Sequence, residues 1–198
     1  MTLGIIGAGR IGQAVARVVV RAGRAAVISD STGPDSLQAV ARELGAGIRA
    51  GSLREAAEQD MVVLAVPWDR VEKALEGLPA WNGRIVVDAT NAVIVPGFRA
   101  ADLGGRASSE VIASLVPSAR VVKGFNTLVA AVLASDPQAS DGQRVLFYSG
   151  DDLAAKQAFH QLITEAGFAG IDLGGLAVSR VQQFPDGPLA AINLIKLP

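Results

Sequence analysis

The chain has 198 residues and no cysteine. Disulfide frameworks, thiolate metal sites, redox Cys-x-x-Cys pairs and cysteine nucleophiles are therefore excluded, and the lack agrees with an expected cytoplasmic location. There is a single histidine, His160, and neither a metal-ligand spacing nor a Ser/His/Asp arrangement can be built around it. An excess of charge of one sign is missing too. The formal net charge of -1 offers no basic surface for nucleic acid and none for an anionic membrane. Apolar runs are strand-length, well short of the roughly 20 residues that cross a bilayer. The first of them opens directly into glycines rather than into a signal-peptide cleavage site. The expected partner is a small molecule, with no nucleic acid and no membrane involved.

What is present is glycine, 22 residues of it, as suits a fold with many tight strand-to-helix turns. A chain of this length buries about 70% of the surface its unfolded form exposes. Leu3-Gly4-Ile5-Ile6 runs into Gly7-Ala8-Gly9-Arg10-Ile11-Gly12, the Gly-x-Gly-x-x-Gly fingerprint in the strand-to-helix setting that gives it meaning. The first glycine permits the tight turn, the second lets backbone approach a pyrophosphate, and the third lets helix pack on strand. Ile11, Val15, Val18, Val19 and Ala22 follow at helical spacing, so the glycines open a helix whose N-terminal amides can hold an anion.

Further along, strands are expected at 25–29, 47–50, 61–66, 84–88, 120–125, 145–149 and 170–173. Helices are expected from Pro34 to Leu44, from Ser52 with Glu55 completing a capping box, at 69–78, from Ser108 to Leu115, at about 127–134, from Asp152 to Ala166, and in the tail at about 188–196. Residues 92–107 have no clear period and read as a crossover or flap. Strand and helix alternate throughout, which predicts an α/β fold: a Rossmann-type doubly wound, mostly parallel sheet. The chain reads as one domain, 1–198, whose C-terminal part from about 108 extends the sheet as a small α/β lobe.

Ligands in such sheets occupy the crevice beyond the carboxyl ends of the strands. Those ends are Gly7 to Gly12, Asp30-Ser31-Thr32, Ala65-Val66-Pro67-Trp68, Thr90-Asn91 and Asn126-Thr127. Asp30 follows Gly12 at the spacing where a carboxylate accepts the ribose hydroxyls of NAD, a charge-assisted bond contributing about 1.5–3 kcal/mol. A 2'-phosphate beside it is repelled by about 1–4 kcal/mol per unit charge, and no lysine or arginine lies between Ser29 and Pro34 to offset this. Local chemistry thus leans to NAD over NADP. No catalytic acid–base pair emerges: His160 is expected to face solvent and Tyr148 to pack on the sheet, while Asp88 and Lys123 read either as proton donors or as a strand-end ion pair.

The motifs together resemble the family of NADPH-dependent reductases of coenzyme F-420 and related dinucleotide-binding oxidoreductases. The resemblance is carried by Gly7 to Gly12, Ser31 with Gly33-Pro34, Ala65 to Trp68, Asp88-Ala89-Thr90-Asn91, Lys123-Gly124-Phe125-Asn126-Thr127, Gly150-Asp151-Asp152, Asp172 to Leu176 and Gly187-Pro188-Leu189 to Lys196. It implies a nicotinamide over the Ala65 to Trp68 turn, a second redox partner near Asn126, Thr127 and Leu176, the deazaflavin F-420 as that partner, and a homodimer. Where the family often has Asn-Ser-Arg-Gly-Pro, with Ser and Arg on the 2'-phosphate, this chain has Asp30-Ser31-Thr32-Gly33-Pro34. Two other readings remain: a dinucleotide sensor without turnover, and an imine or pyrroline reductase, which normally adds a large helical dimerisation domain. If the 30–32 turn selects the cofactor, Asp30→Asn with Thr32→Arg moves calorimetric affinity from NAD(H) toward NADP(H); an unchanged preference removes the role given to this turn.

Overall fold

A computed structural model describes residues 1–198. Alternating side chains of the first strand, β1 (Leu3–Ile6), feed two separate cores. Leu3 and Ile5 join a cluster of 31 buried residues, while Ile6 joins 13 on the opposite face. A sheet whose strands are buried on both sides needs continuous apolar runs rather than alternation. β4 (Met61–Leu64), with all four residues buried, meets that need.

Between these strands lie α1 (Arg10–Arg21), β2 (Ala26–Ser29), α2 (Pro34–Leu44), β3 (Ile48–Ala50) and α3 (Leu53–Ala57). Val15, Val18 and Val19 of α1 are wholly buried in the larger core, and Ile11 and Ala22 pack at its margin. After β4 come a single 3-10 turn, Trp68–Arg70, then α4 (Val71–Leu75), β5 (Ile85–Asp88), the hairpin strands β6 (Val93–Ile94) and β7 (Arg99–Ala100), α5 (Ser108–Leu115) and β8 (Arg120–Lys123). The remainder is α6 (Ala130–Ala134), β9 (Gln138–Ala139), β10 (Gly142–Gly150), α7 (Leu153–Glu165), β11 (Ala169–Asp172), a 3-10 stretch at Leu176–Gln182 and β12 (Ile195–Lys196).

The strand order is β11-β10-β8-β5-β4-β1-β2-β3. Its six parallel members, β3-β2-β1-β4-β5-β8, have the spatial order 3-2-1-4-5-6 of a dinucleotide-binding sheet, so the crevice falls between β1 and β4, where the order reverses. β8 completes that set, and the C-terminal part lengthens the same sheet: β10 runs antiparallel to β8 and β11 runs parallel to β10.

Several expected helices are shorter or absent. The one expected at 69–78 is a 3-10 turn plus the five residues of α4, which bury only Val71. The one expected from 127 begins at Ala130, because Asn126 and Thr127 are drawn into the interior and Phe125 takes a left-handed φ of 64°. The tail is not helical. β10 pairs with β8 through only Ser149 and Gly150, which leaves backbone groups of its first half to be satisfied elsewhere. β9 and β12 supply those partners, pairing with residues 142–144. Residues 92–107 contain the β6–β7 hairpin rather than a structureless crossover.

The capping box expected at α3 forms. Glu55 Oε2 accepts from the Ser52 amide at 2.8 Å, the Glu55 amide donates to Ser52 Oγ, and Arg49 donates to Glu55 Oε1 at 2.8 Å. The Ser52 amide first, then Arg49 and the Ser52 hydroxyl, hold the Glu55 carboxyl down at about 2 against an ordinary 4.5. A depressed carboxyl contributes stability above its unfolded value and loses it as the pH falls toward the folded one. Glu55→Gln is therefore expected to flatten the fall in stability between pH 4.5 and about 2, read by urea midpoints across that window. An unchanged slope would show that this carboxyl is not held down.

Candidate functional site

A cleft of about 670 Å³ opens at the carboxyl ends of β1, β2 and β4. Its floor is the turn at Gly7, Ala8 and Gly9, one wall is Asp30 and Ser31, and the other runs through Ala65, Val66 and Pro67 to Arg70 and Lys73. The three glycines differ in why they are needed. A Cβ on Gly7 would lie 2.3 Å from Ala65 O, and the residue's φ is +113°. A Cβ on Gly12 would lie 1.7 Å from Gly7 O, so α1 starts directly against the end of β1. Gly9 has an ordinary φ of −71°, and nothing lies within 4 Å of a Cβ built there.

Gly9 caps α1 without any side-chain bond, and the first turn of α1 carries no acidic residue. The first-turn amides of a helix have no intrahelical acceptor; here they are left for an anion, and the dipole favours one. A dinucleotide's diphosphate fits this cradle: two glycines are required by the protein's own atoms, and the third keeps the approach clear.

On the Asp30 wall, Oδ1 accepts from the Thr32 amide at 2.8 Å and from the Thr32 hydroxyl at 2.6 Å. The aspartate thus serves as a turn residue through one oxygen and has Oδ2 in hand. Arg10, Ile11 and Gly12 form the helix start behind the glycine turn, and Thr32 braces Asp30 rather than lining the cleft.

A second cleft of about 360 Å³ adjoins the first at Pro67, which lines both. Trp68 and Asn91 line it, together with Val93, Ile94, Val95 and Phe98 of the hairpin and with Phe184. Phe98 and Val95 are 67% and 68% exposed, an apolar rim open to solvent. Asn126, Thr127 and Leu176 lie on neither cleft; all three are buried. The amide of Asn126 is fully engaged: Nδ2 donates to Asn91 Oδ1 at 3.0 Å and to Gln182 O at 2.6 Å, and Oδ1 accepts from Gln182 Nε2 at 3.1 Å. Asn91 Oδ1 also accepts from the Phe184 amide at 2.9 Å. The pair therefore fastens the segment 182–184 over the strand ends, and the expectation of Asn126 beside a substrate is corrected: its donors and acceptor are spent.

Sequence reasoning missed Arg70, Lys73, Phe98 and Phe184. The first two stand one turn apart after Pro67-Trp68, a helical spacing that could have placed them on one face. Phe98 and Phe184 come from distant segments with no local signal.

Beneath Thr90, Asp88 and Lys123 are fully buried and 3.0 Å apart. Asp88 Oδ1 accepts from the Thr90 amide and hydroxyl, and Oδ2 also from Ser109 Oγ at 2.6 Å. Lys123 Nζ donates to Thr90 O at 2.6 Å and to Ser108 Oγ at 3.3 Å as well as to Asp88. Burial pushes the ammonium's pKa down, and the facing carboxylate opposes that. Both are cut off from solvent, so the ion-pair reading holds and the proton-donor reading does not. His160 is also corrected: it is half-buried, with Nδ1 3.2 Å from the Tyr148 hydroxyl. Burial and then Asp172 raise that phenol's pKa.

Fold and cradle define a Rossmann-type dinucleotide-binding architecture. Residues 2–92 match the family model described as NADP oxidoreductase, coenzyme F420-dependent. The match stops where the hairpin begins. A hypothetical protein from Sinorhizobium meliloti is 48% identical with a TM-score of 0.93, over 99% of this chain and 96% of that one. A protein from Arthrobacter sp. FB24 assigned as an F-420-dependent NADP-reductase is 25% identical with a TM-score of 0.77, over 91% of this chain and 87% of that one. The metalloreductase STEAP3 of Rattus norvegicus is 35% identical over 98 residues, 50% of this chain but 19% of its own length. No helix is long and apolar enough to cross a membrane.

Removing one partner of a buried ion pair leaves the other charge uncompensated, at a cost of about 3–5 kcal/mol. Lys123→Met should destabilise the fold by about that much in urea unfolding, and Asp88→Asn combined with Lys123→Met should recover part of it. A loss in the double variant equal to the sum of the losses in Lys123→Met and Asp88→Asn alone would show that the pair is not coupled.

Proposed function

We propose that the chain is a reductase that binds a nicotinamide dinucleotide in the larger cleft and delivers hydride to a planar, apolar acceptor in the smaller one. The observation that carries this reading is their junction at Pro67. A dinucleotide laid from Asp30 over the glycine turn ends at Pro67 and Trp68, against the apolar cleft. Nicotinamide supplies the hydride; the protein's part is to hold two rings at reacting distance and keep their orientation.

The lining of the smaller cleft bears on the acceptor class. Its only titratable residue is Asp69, whose side chain is 73% exposed. Reduction of a carbonyl to an alcohol calls for a proton delivered to oxygen by a positioned acid, and no such group is at hand. A conjugated ring that spreads the incoming electron pair over its own heteroatoms, and takes its proton from solvent at the open mouth, needs none. Trp68, Phe98 and Phe184 are flat partners for such a ring. This favours a deazaflavin of the F-420 type, or a flavin, over small ketones and imines.

Following reduced-nicotinamide absorbance with and without F-420 or flavin tests the reading. Acceptor-dependent oxidation is expected, with Phe98→Ala lowering kcat/KM for the acceptor about tenfold and leaving the Kd for the dinucleotide in place. Gly9→Val should weaken dinucleotide binding by at least about tenfold at an unchanged Tm. Tight binding with no oxidation by any planar acceptor would instead make the chain a sensor.

A further inference from the structure

Resting on the cleft assignment above, we infer that the positive charge for a 2'-phosphorylated dinucleotide comes from Arg70 and Lys73, across the cleft from the turn after β2. These two residues set NADP affinity independently of Asp30.

Three observations carry this. First, the turn after β2 supplies no cation. Thr32 stands where the family often has arginine, and its hydroxyl is engaged with Asp30 and Ser36. Ser36 Oγ in turn donates to Gly33 O at 2.8 Å. The turn is closed on itself and presents a carboxylate oxygen. Second, the same cleft carries two cations on its other wall, from Arg70 at the end of the 3-10 turn and from Lys73 in α4. Third, both are available. Lys73 has no ion pair and no side-chain hydrogen bond, and Arg70 meets only Asp69, at 3.5 Å between exposed side chains. Of the other cations nearby, Arg49 is turned to Glu55 and Arg54 to Glu58 and Gly77 O, while Arg10, at the start of α1, has no side-chain partner but does not line this cleft.

A phosphate dianion is best met by more than one mobile donor, and a guanidinium with an ammonium gives both a planar fork and a point charge. Asp30 Oδ2 then faces the unphosphorylated ribose hydroxyl. The arrangement admits both cofactors: NAD through the diol on Asp30, and NADP through the cations opposite it.

Calorimetric Kd values for NADPH and NADH, on the wild type and on Lys73→Met, Arg70→Gln and the double variant, decide it. Each single change is expected to weaken NADPH about fivefold to tenfold, and the pair about thirtyfold or more, with NADH within about twofold throughout. Adenosine 2',5'-bisphosphate should bind more tightly than adenosine 5'-phosphate to the wild type and equally to the double variant. Raising salt should weaken NADPH more than NADH only while the cations are present. Both side chains are exposed, so Tm should not move.

If NADPH and NADH weaken together, or if neither changes, this assignment is overturned while the dinucleotide reading stands. If the wild type binds neither cofactor, the reading of the cleft fails and this inference fails with it.

Discussion

The contact on which the rest of the molecule depends is the close approach of Gly12 to the carbonyl of Gly7. With no side chain between them, α1 begins where β1 ends, and its first amides open into the crevice. Gly7 makes a second such approach, to the backbone of Ala65 at the end of β4. The two together draw β1, α1 and β4 to one point, the place where the strand order reverses. The ligand cradle and two of the fold's close backbone approaches are therefore the same few residues. Gly9 stands apart from them: nothing in the folded chain requires its lack of a side chain, so the requirement comes from what approaches from outside.

Around that point the sheet is held by two main cores of unequal size and, under its carboxyl edge, by a network of buried polar groups around Asp88, Lys123 and Asn126. The Asp88–Lys123 pair costs desolvation, and packing alone does not explain it. What it does is pin Thr90 through its amide, hydroxyl and carbonyl. That fixes the neighbouring Asn91, which with Asn126 fastens the segment at 182–184 across the strand ends. The position of Phe184 in the smaller cleft follows from this chain of bonds.

The parallel sheet was legible because each strand is an apolar run closed by a turn signal, and each of the longer helices has a period and a cap. Pro34, Ser52 with Glu55, and Asp152 mark their helices as the local chemistry requires. The tail and the helix expected from Thr127 were not legible, for a shared reason. Their conformations are set by partners far away in the chain: the open half of β10 for one, and Gln182 and Asn91 for the other. The same distinction divides the site. Gly7, Ala8, Gly9, Asp30, Ser31 and the Ala65 to Pro67 turn line the larger cleft, and each sits beside a motif that announces it. Asn126 looked like a ligand because a polar residue ending a strand has no local sign of being used up. The aromatic walls of the smaller cleft come from segments that meet only in three dimensions.

The hairpin over that smaller cleft is joined by two residue pairs, Val93 with Ala100 and Ile94 with Arg99, and its tip carries apolar side chains into solvent. So slight an attachment makes this wall separable from the sheet beneath it. Its length, or the identity of its tip, can change without disturbing the glycine turn or either core. Proteins that keep the same dinucleotide half can in this way differ in the breadth of the smaller cleft, with the divergence confined to a flap of a few residues.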